Sequence, residues 1–94
     1  MSQILLSDLA LEQLQEISSE PGERLLNAVE RLRSFPRSAP RLTLQGYEAY
    51  RQLTVRPYRV IYKYLPEEDQ VRIYCIIHLR RQLPDSEFLR YQIF

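Results

Sequence analysis

Twelve of the thirteen basic side chains in this sequence are arginine, and the only histidine, His78, stands two residues before the pair Arg80-Arg81. The planar fork of arginine meets phosphate or carboxylate oxygens through two parallel hydrogen bonds and stacks on bases. Histidine, with an ordinary pKa of about 6.5, exchanges a proton near neutral pH. These are the parts needed to cut RNA by attack of a 2′-hydroxyl on the adjacent phosphate: guanidinium groups stabilise the charge of the pentavalent phosphorane, and the imidazole moves the proton. The plainer reading of the same residues is a histidine that ends a strand with a satisfied hydrogen bond, among arginines paired with acids. Tyr47, Tyr50, Tyr74 and Tyr91 carry a similar pair of readings, base stacking or sheet packing.

Other chemistries lack their parts. Two glycines, Gly22 and Gly46, make no phosphate-cradling loop. One histidine and one cysteine cannot build a structural zinc site, and no serine sits in a nucleophile-elbow context. Metal-free, cofactor-free chemistry or pure binding is left.

Charge is unevenly spread behind a net value of +1. Residues 1–30 hold six acids against Arg24, whereas residues 31–64 hold eight bases against Glu48, so the middle segment is locally near +7. Such a stretch faces a polyanion, or else it is a solvated surface that pairs with the acidic first third.

The elements that must position these groups follow from periodicity. Gln3 to Leu6 is a short apolar run compatible with a first strand. Ser7 and Asp8 are N-cap types, and Ala10, Leu14 and Ile17 recur at helical spacing opposite Glu12 and Glu16, which predicts a helix ending near Ser18. Pro21 suits the first turn of a second helix capped by Ser18 or Ser19. Its stripe is Leu25, Val29 and Leu32, widened by Leu26, Ala28 and Phe35, and Pro36 and Pro40 end it. Two helices joined so closely are expected to pack as an antiparallel hairpin.

Beyond a loop from Arg37 to Glu48, the residues become β-branched and aromatic. Tyr50–Val55, Tyr58–Leu65 and Val71–Leu79 are predicted strands, joined by Arg56-Pro57 and by Pro66 to Asp69 into an antiparallel meander. A short helix is expected within Asp85–Phe94, with Phe88 and Tyr91 on one side. The predicted class is α+β, with one sheet face packed on the hairpin and the other left to function. Strict alternation puts Arg72, Tyr74, Ile76, His78 and Arg80 on one face of the last strand, and Val71, Ile73, Cys75 and Ile77 on the core side. One face then presents Arg51, Arg59, His78 and Arg80 together, subject to a register that the sequence does not fix.

A length of 94 residues predicts one domain, 1–94, and 45% hydrophobic residues predict a packed core. The N-terminus has no basic region before an apolar stretch, and no run approaches a membrane span of about 18 residues. Cys75 has no partner for a disulfide. A reducing cytoplasm is the expected compartment.

Three segments, LRSFPRSAPRL, YRQLTVRPYRVIYKY and VRIYCIIHLRRQLP, together resemble the RelE/ParE superfamily of bacterial type II toxins, over nearly the whole chain. The resemblance implies a helical hairpin on a twisted antiparallel sheet, and a cognate antitoxin that wraps the toxin and sets its oligomeric state. A RelE-like member would be a metal-independent endoribonuclease that cuts mRNA on the ribosome; a ParE-like member would poison DNA gyrase; a degenerate member would only bind its antitoxin. The sequence reading favours the nuclease. Under it, Arg59 resembles the phosphate-stabilising arginine of the central strand, Arg51 falls near an often basic position, and Arg80 and Arg81 resemble the basic end of the last strand. His78 and Tyr91 resemble the histidine and C-terminal tyrosine of ribosome-dependent members, and Arg56, Lys63, Arg72 and Arg81 are expected to contact RNA. The lysine pair of the best-known RelE enzymes is missing: Leu53 stands at one plausible counterpart, and Lys63 is the only lysine.

Overall fold

The computed structural model describes residues 1–94. Its elements are β1 (Gln3–Leu6), α1 (Asp8–Gln15), α2 (Ser19–Glu30), a single 3₁₀ turn (Arg31–Arg33), β2 (Arg51–Val55), β3 (Tyr58–Leu65), β4 (Gln70–His78) and α3 (Ser86–Arg90). The sheet order is β1-β4-β3-β2. The predicted meander of β2, β3 and β4 is antiparallel, and β1 joins it parallel to β4. The α+β class read from the sequence is therefore the observed one.

Ser7 is the N-cap of α1 and is fully buried. Its Oγ accepts the Ala10 N–H at 2.9 Å and donates to the Tyr74 carbonyl at 2.8 Å, so one hydroxyl caps the helix and ties it to β4. The helix stops at Gln15, earlier than periodicity predicts, because the Glu16 and Ile17 N–H groups turn back to the Gln13 and Leu14 carbonyls in i→i−3 bonds. In α2 the stripe Leu25, Ala28 and Val29, continued by Leu32, is buried as expected. Leu26 and Phe35 are not part of it, being 49% and 64% exposed. Ala10, Leu14, Ile17, Leu25, Val29 and Leu32 share one core with Val60, Tyr62, Val71, Ile73 and Ile76 of the sheet.

Alternation along β4 fails at one residue. Ile61 pairs with Cys75 but Tyr62 pairs with Ile73, so Tyr74 has no partner in β3 and forms a bulge. Ile73 and Ile76 then face the helices, while Tyr74, Cys75 and Ile77 all belong to a second core on the opposite face. The backbone groups freed by the bulge are satisfied from α1: Ser7 Oγ serves the Tyr74 carbonyl, and Gln13 Oε1 accepts the Ile76 N–H at 2.7 Å.

The bulge corrects the expectation of a free sheet face. With Ile61, Tyr74, Cys75 and Ile77 turned outward the face is apolar and needs cover. Cover comes from Leu42, Tyr47 and Tyr50 of the loop before β2 and from Leu83 and Leu89 of the chain after β4. The tail is pinned at both ends: the Tyr47 hydroxyl donates to the Pro84 carbonyl at 2.7 Å, and the Asp8 N–H donates to the Ile93 carbonyl at 2.8 Å. In α3 the buried residue is Leu89, whereas Phe88 and Tyr91 are exposed. At the far end of the sheet, Asp69 takes a left-handed turn conformation (φ 50°) and accepts hydrogen bonds from the Ser2 and Tyr64 hydroxyls. No helix is long and apolar enough to cross a membrane.

Candidate functional site

Two of the residues proposed for chemistry, Arg59 and His78, lie at one end of the sheet, but on opposite faces. Tyr58 pairs with His78 and Arg59 with Ile77 where β3 begins and β4 ends. His78 and Tyr58 look toward the helices, their rings edge to face at 5.8 Å. They line an open cleft of about 270 Å³ with Gln13, Glu16 and Arg81. His78 Nδ1 accepts the Arg80 N–H at 3.1 Å, which fixes the ring and puts the hydrogen of the neutral imidazole on Nε2, a donor.

Arg59 lies on the other face, beneath the covering segments. Its Nη2 donates to the Arg81 carbonyl, and its Nε is buried without a hydrogen-bond partner. With Leu44, Tyr47, Gln82 and Leu83, Arg59 lines an open cleft of about 390 Å³. The guanidinium also reaches Cys75 electrostatically, although burial dominates there and pushes the thiol up to about 12.

Arg51 is separate from both. It pairs with Tyr62 on the helix-facing side, and its Nη1 donates to the carbonyls of Ala39 at 2.7 Å and Arg37 at 3.3 Å. The predicted convergence of Arg51, Arg59, His78 and Arg80 on one face is therefore corrected. Tyr58 and Arg59 are consecutive and must point oppositely, and Thr54 rather than Arg51 is the β2 partner of Arg59.

The remaining candidates scatter. Arg80 and Arg81 are exposed just beyond β4, as is Arg56 in the β2–β3 turn, whose carbonyl accepts from Arg24. Tyr91 is 73% exposed at the end of α3. Lys63 and Arg72 are cross-strand neighbours on the second face. The acidic first third does little to neutralise the basic middle, since the only ion pairs are Glu30 with Arg33 and Glu87 with Arg90. Sequence reasoning missed Gln13, Glu16 and Tyr58. For Gln13 a signal existed: it stands three residues after Ala10 and four before Ile17, a polar residue on an apolar stripe.

A helix pair on a four-stranded sheet, with a basic strand end and a tail folded back over the second face, defines a RelE-like toxin fold. The isolated E. coli RelE toxin superposes with a TM-score of 0.75 at 19% identity, over 96% of this chain and 97% of its own. The toxin-antitoxin complex RelBE of E. coli gives 0.73 at 19% identity, with 86% and 100% covered. RelBE2 of Mycobacterium tuberculosis, also a toxin-antitoxin complex, gives 0.62 at 19%, with 82% and 96% covered. Among curated proteins no sequence matches. The family model described as ParE toxin of type II toxin-antitoxin system, parDE, matches residues 4–83. The chain belongs to this family and is a type II toxin of the RelE/ParE superfamily.

Proposed function

We propose that this toxin acts in the ParE manner, by binding and poisoning DNA gyrase, and that it is not an mRNA nuclease. The observation that carries the reading is the state of Arg59. A phosphate-stabilising guanidinium must offer its N–H groups to the substrate, yet here Nη2 is held by the Arg81 carbonyl and Nε is enclosed. Arg51 is likewise committed to two backbone carbonyls, and His78 faces the opposite side of the sheet. The cations expected to share one phosphate thus serve as braces for the loop and tail, and the lysine pair of RelE enzymes has no counterpart. The ParE family match over residues 4–83 fits this reading as the RelE structural neighbours fit the other, so the choice rests on Arg59 and Arg51. A cognate antitoxin is the silencing partner, in keeping with the toxin-antitoxin complexes among the structural neighbours.

One observation favours the nuclease instead: the cleft that holds His78, Tyr58, Glu16 and Arg81 brings an imidazole Nε2–H donor together with a guanidinium. Brief induction in cells separates the two. Gyrase poisoning gives an SOS response with intact messages, and purified toxin inhibits DNA supercoiling. Primer extension that shows new cuts at translated codons, with supercoiling unaffected, refutes the proposal.

A further inference from the structure

Much of the locally basic middle of the chain gathers along one edge of the sheet, the edge that β2 forms. Arg41 stands opposite Arg51 there in an antiparallel bridge, so both side chains leave the same face. Like charges so placed weaken a sheet unless an anion lies close by. At the other end of β2, Arg24 donates from Nη1 to the Arg56 carbonyl at 3.0 Å, and Arg31 returns to the same stripe of α2 about two helical turns on. Arg24, Arg31, Arg41 and Arg56 are exposed, and none of them forms an ion pair, nor does Arg51. The strand and the segment that pairs with it carry no acid; on α2, Glu20 and Glu23 stand before Arg24 without pairing to it, and Glu30 is held by Arg33.

Where the bridge ends, a cleft of about 340 Å³ opens against β2. Ser38, Arg41, Gln52 and Thr54 give it a polar lining, and no acid borders it. The Gln52 N–H already donates to the Pro40 carbonyl, and alternation points the Thr54 N–H the same way, past the end of the bridge. Guanidinium, hydroxyl, carboxamide and backbone N–H are the donors that hold phosphate oxygens. Charge of either sign protects an edge strand from pairing, yet residues 31–64 carry eight bases against Glu48. So one-sided a charge suits a polyanion. The cleft has no aromatic ring on which an unpaired base could stack, which favours a duplex. From Arg51 to Arg56 the edge runs about 17 Å at ~3.3 Å per residue, the rise of about five base pairs. Phe35 is the one large apolar side chain exposed between Arg31 and Arg41; Leu11 on α1, Leu26 beside Leu14, and Phe88 and Ile93 on the tail lie elsewhere, so a protein partner has a surface of its own.

We propose that this edge binds the sugar–phosphate backbone of duplex DNA, so that the toxin grips the DNA on which its target enzyme works as well as the enzyme. The choice of DNA rests on the gyrase reading above; the phosphate-binding edge rests on the arginines and the cleft.

Purified toxin titrated against a fluorescent DNA duplex of about 20 base pairs, two helical turns, gives the test. Wild type is expected to bind with a slope of log affinity against log salt of about −3 to −4, as four outward guanidiniums require. Arg41→Gln and Arg56→Gln are each expected to weaken binding about five-fold or more at roughly 0.05 M salt and to reduce that slope by about one, while Arg41→Lys keeps the slope and Arg90→Gln, on α3, changes neither. Wild type that binds no duplex, or glutamine variants that bind as wild type does, overturns the edge. Tighter binding to single-stranded RNA of the same length overturns the choice of DNA. Variants that lose the antitoxin and keep the duplex give the edge to a protein partner and overturn the proposal. Supercoiling assays on the same proteins separate the two inferences: gyrase inhibited by a toxin that binds no duplex keeps the gyrase reading and removes the edge, and duplex binding without inhibition does the reverse.

Discussion

Arg59→Met keeps most of the side-chain length and removes the charge and all five donors. Two terms compete in the folded protein. The hydrogen bond from the guanidinium to the Arg81 carbonyl is charge-assisted, and its loss costs about 1.5–3 kcal/mol. Against this, the buried Nε has no partner, and its removal returns about 1 kcal/mol of desolvation. The net cost is about 1 kcal/mol, a fall of roughly 4–8 °C in melting temperature for a domain of this size. The loss is local as well, because the Arg81 carbonyl is one of the ties on the segment between β4 and α3. Trypsin should cut faster after Arg80 and Arg81 in the variant, while the melt stays cooperative. Growth arrest after induction should persist at temperatures where the variant remains folded. An Arg59→Met protein with wild-type melting temperature and trypsin resistance, but no toxicity, would falsify the bracing role and return Arg59 to work on the target.

Other outcomes follow from the same contacts. Gln13→Ala leaves the Ile76 N–H without its acceptor and should cost about 1–3 kcal/mol by thermal or urea unfolding, whereas Gln13→Glu, which keeps an oxygen there, should cost less; equal effects would mean that the bulge does not need the bond. Burial pushes the Cys75 thiol and the Tyr50 hydroxyl each up to about 12 from ordinary values of 9.0 and 10.0. Raised pKa values in the folded state give stability that is intact below pH 9 and lost as pH rises from there toward 12, so urea midpoints should fall over that window and Cys75→Ala should flatten its first part. At the acid end, hydrogen bonds from Ser2 and Tyr64 hold the Asp69 carboxyl below its ordinary 3.8. Its contribution is present above that value and disappears as pH falls through the lower folded one; Asp69→Asn, which tolerates the same backbone turn, should remove this acid slope.

The elements were legible in the sequence wherever burial is one-sided. Ala10, Leu14 and Ile17 and then Leu25, Val29 and Leu32 have one wet face and one dry, so their spacing shows. β4 is different. It lies between β1 and β3, and Ile73 through Ile77 are all buried, an unbroken apolar run that alternation cannot resolve into faces. The bulge at Tyr74 is invisible to a period-two reading, which puts every β4 residue beyond it on the wrong side. The candidate site inherits that error: strict alternation puts His78 with Arg59, although pairing with Tyr58 sends it toward the helices. The second core was illegible for another reason. Leu42, Tyr47, Leu83 and Leu89 come from irregular or very short segments with no periodicity to read, and their shared destination is a tertiary fact. Which arginines are free and which brace a carbonyl is likewise settled only by where the backbone passes.

The parallel pairing of β1 with β4 bears on how the protein comes into being. Gln3 pairs with Gln70 and Leu6 with Ile73, so the first strand made must wait for nearly the last. β4 is also the strand on which β3 and both cores depend. A nascent chain that has emerged through β3 therefore has helices and a hairpin but no centre to pack them on. Closure across such sequence distances is slow compared with local helix formation, and the intermediate exposes apolar surface and unpaired strand edges. Until β4 has emerged, the segments before it cannot assemble the toxin fold, so the active shape is completed in a late step of folding.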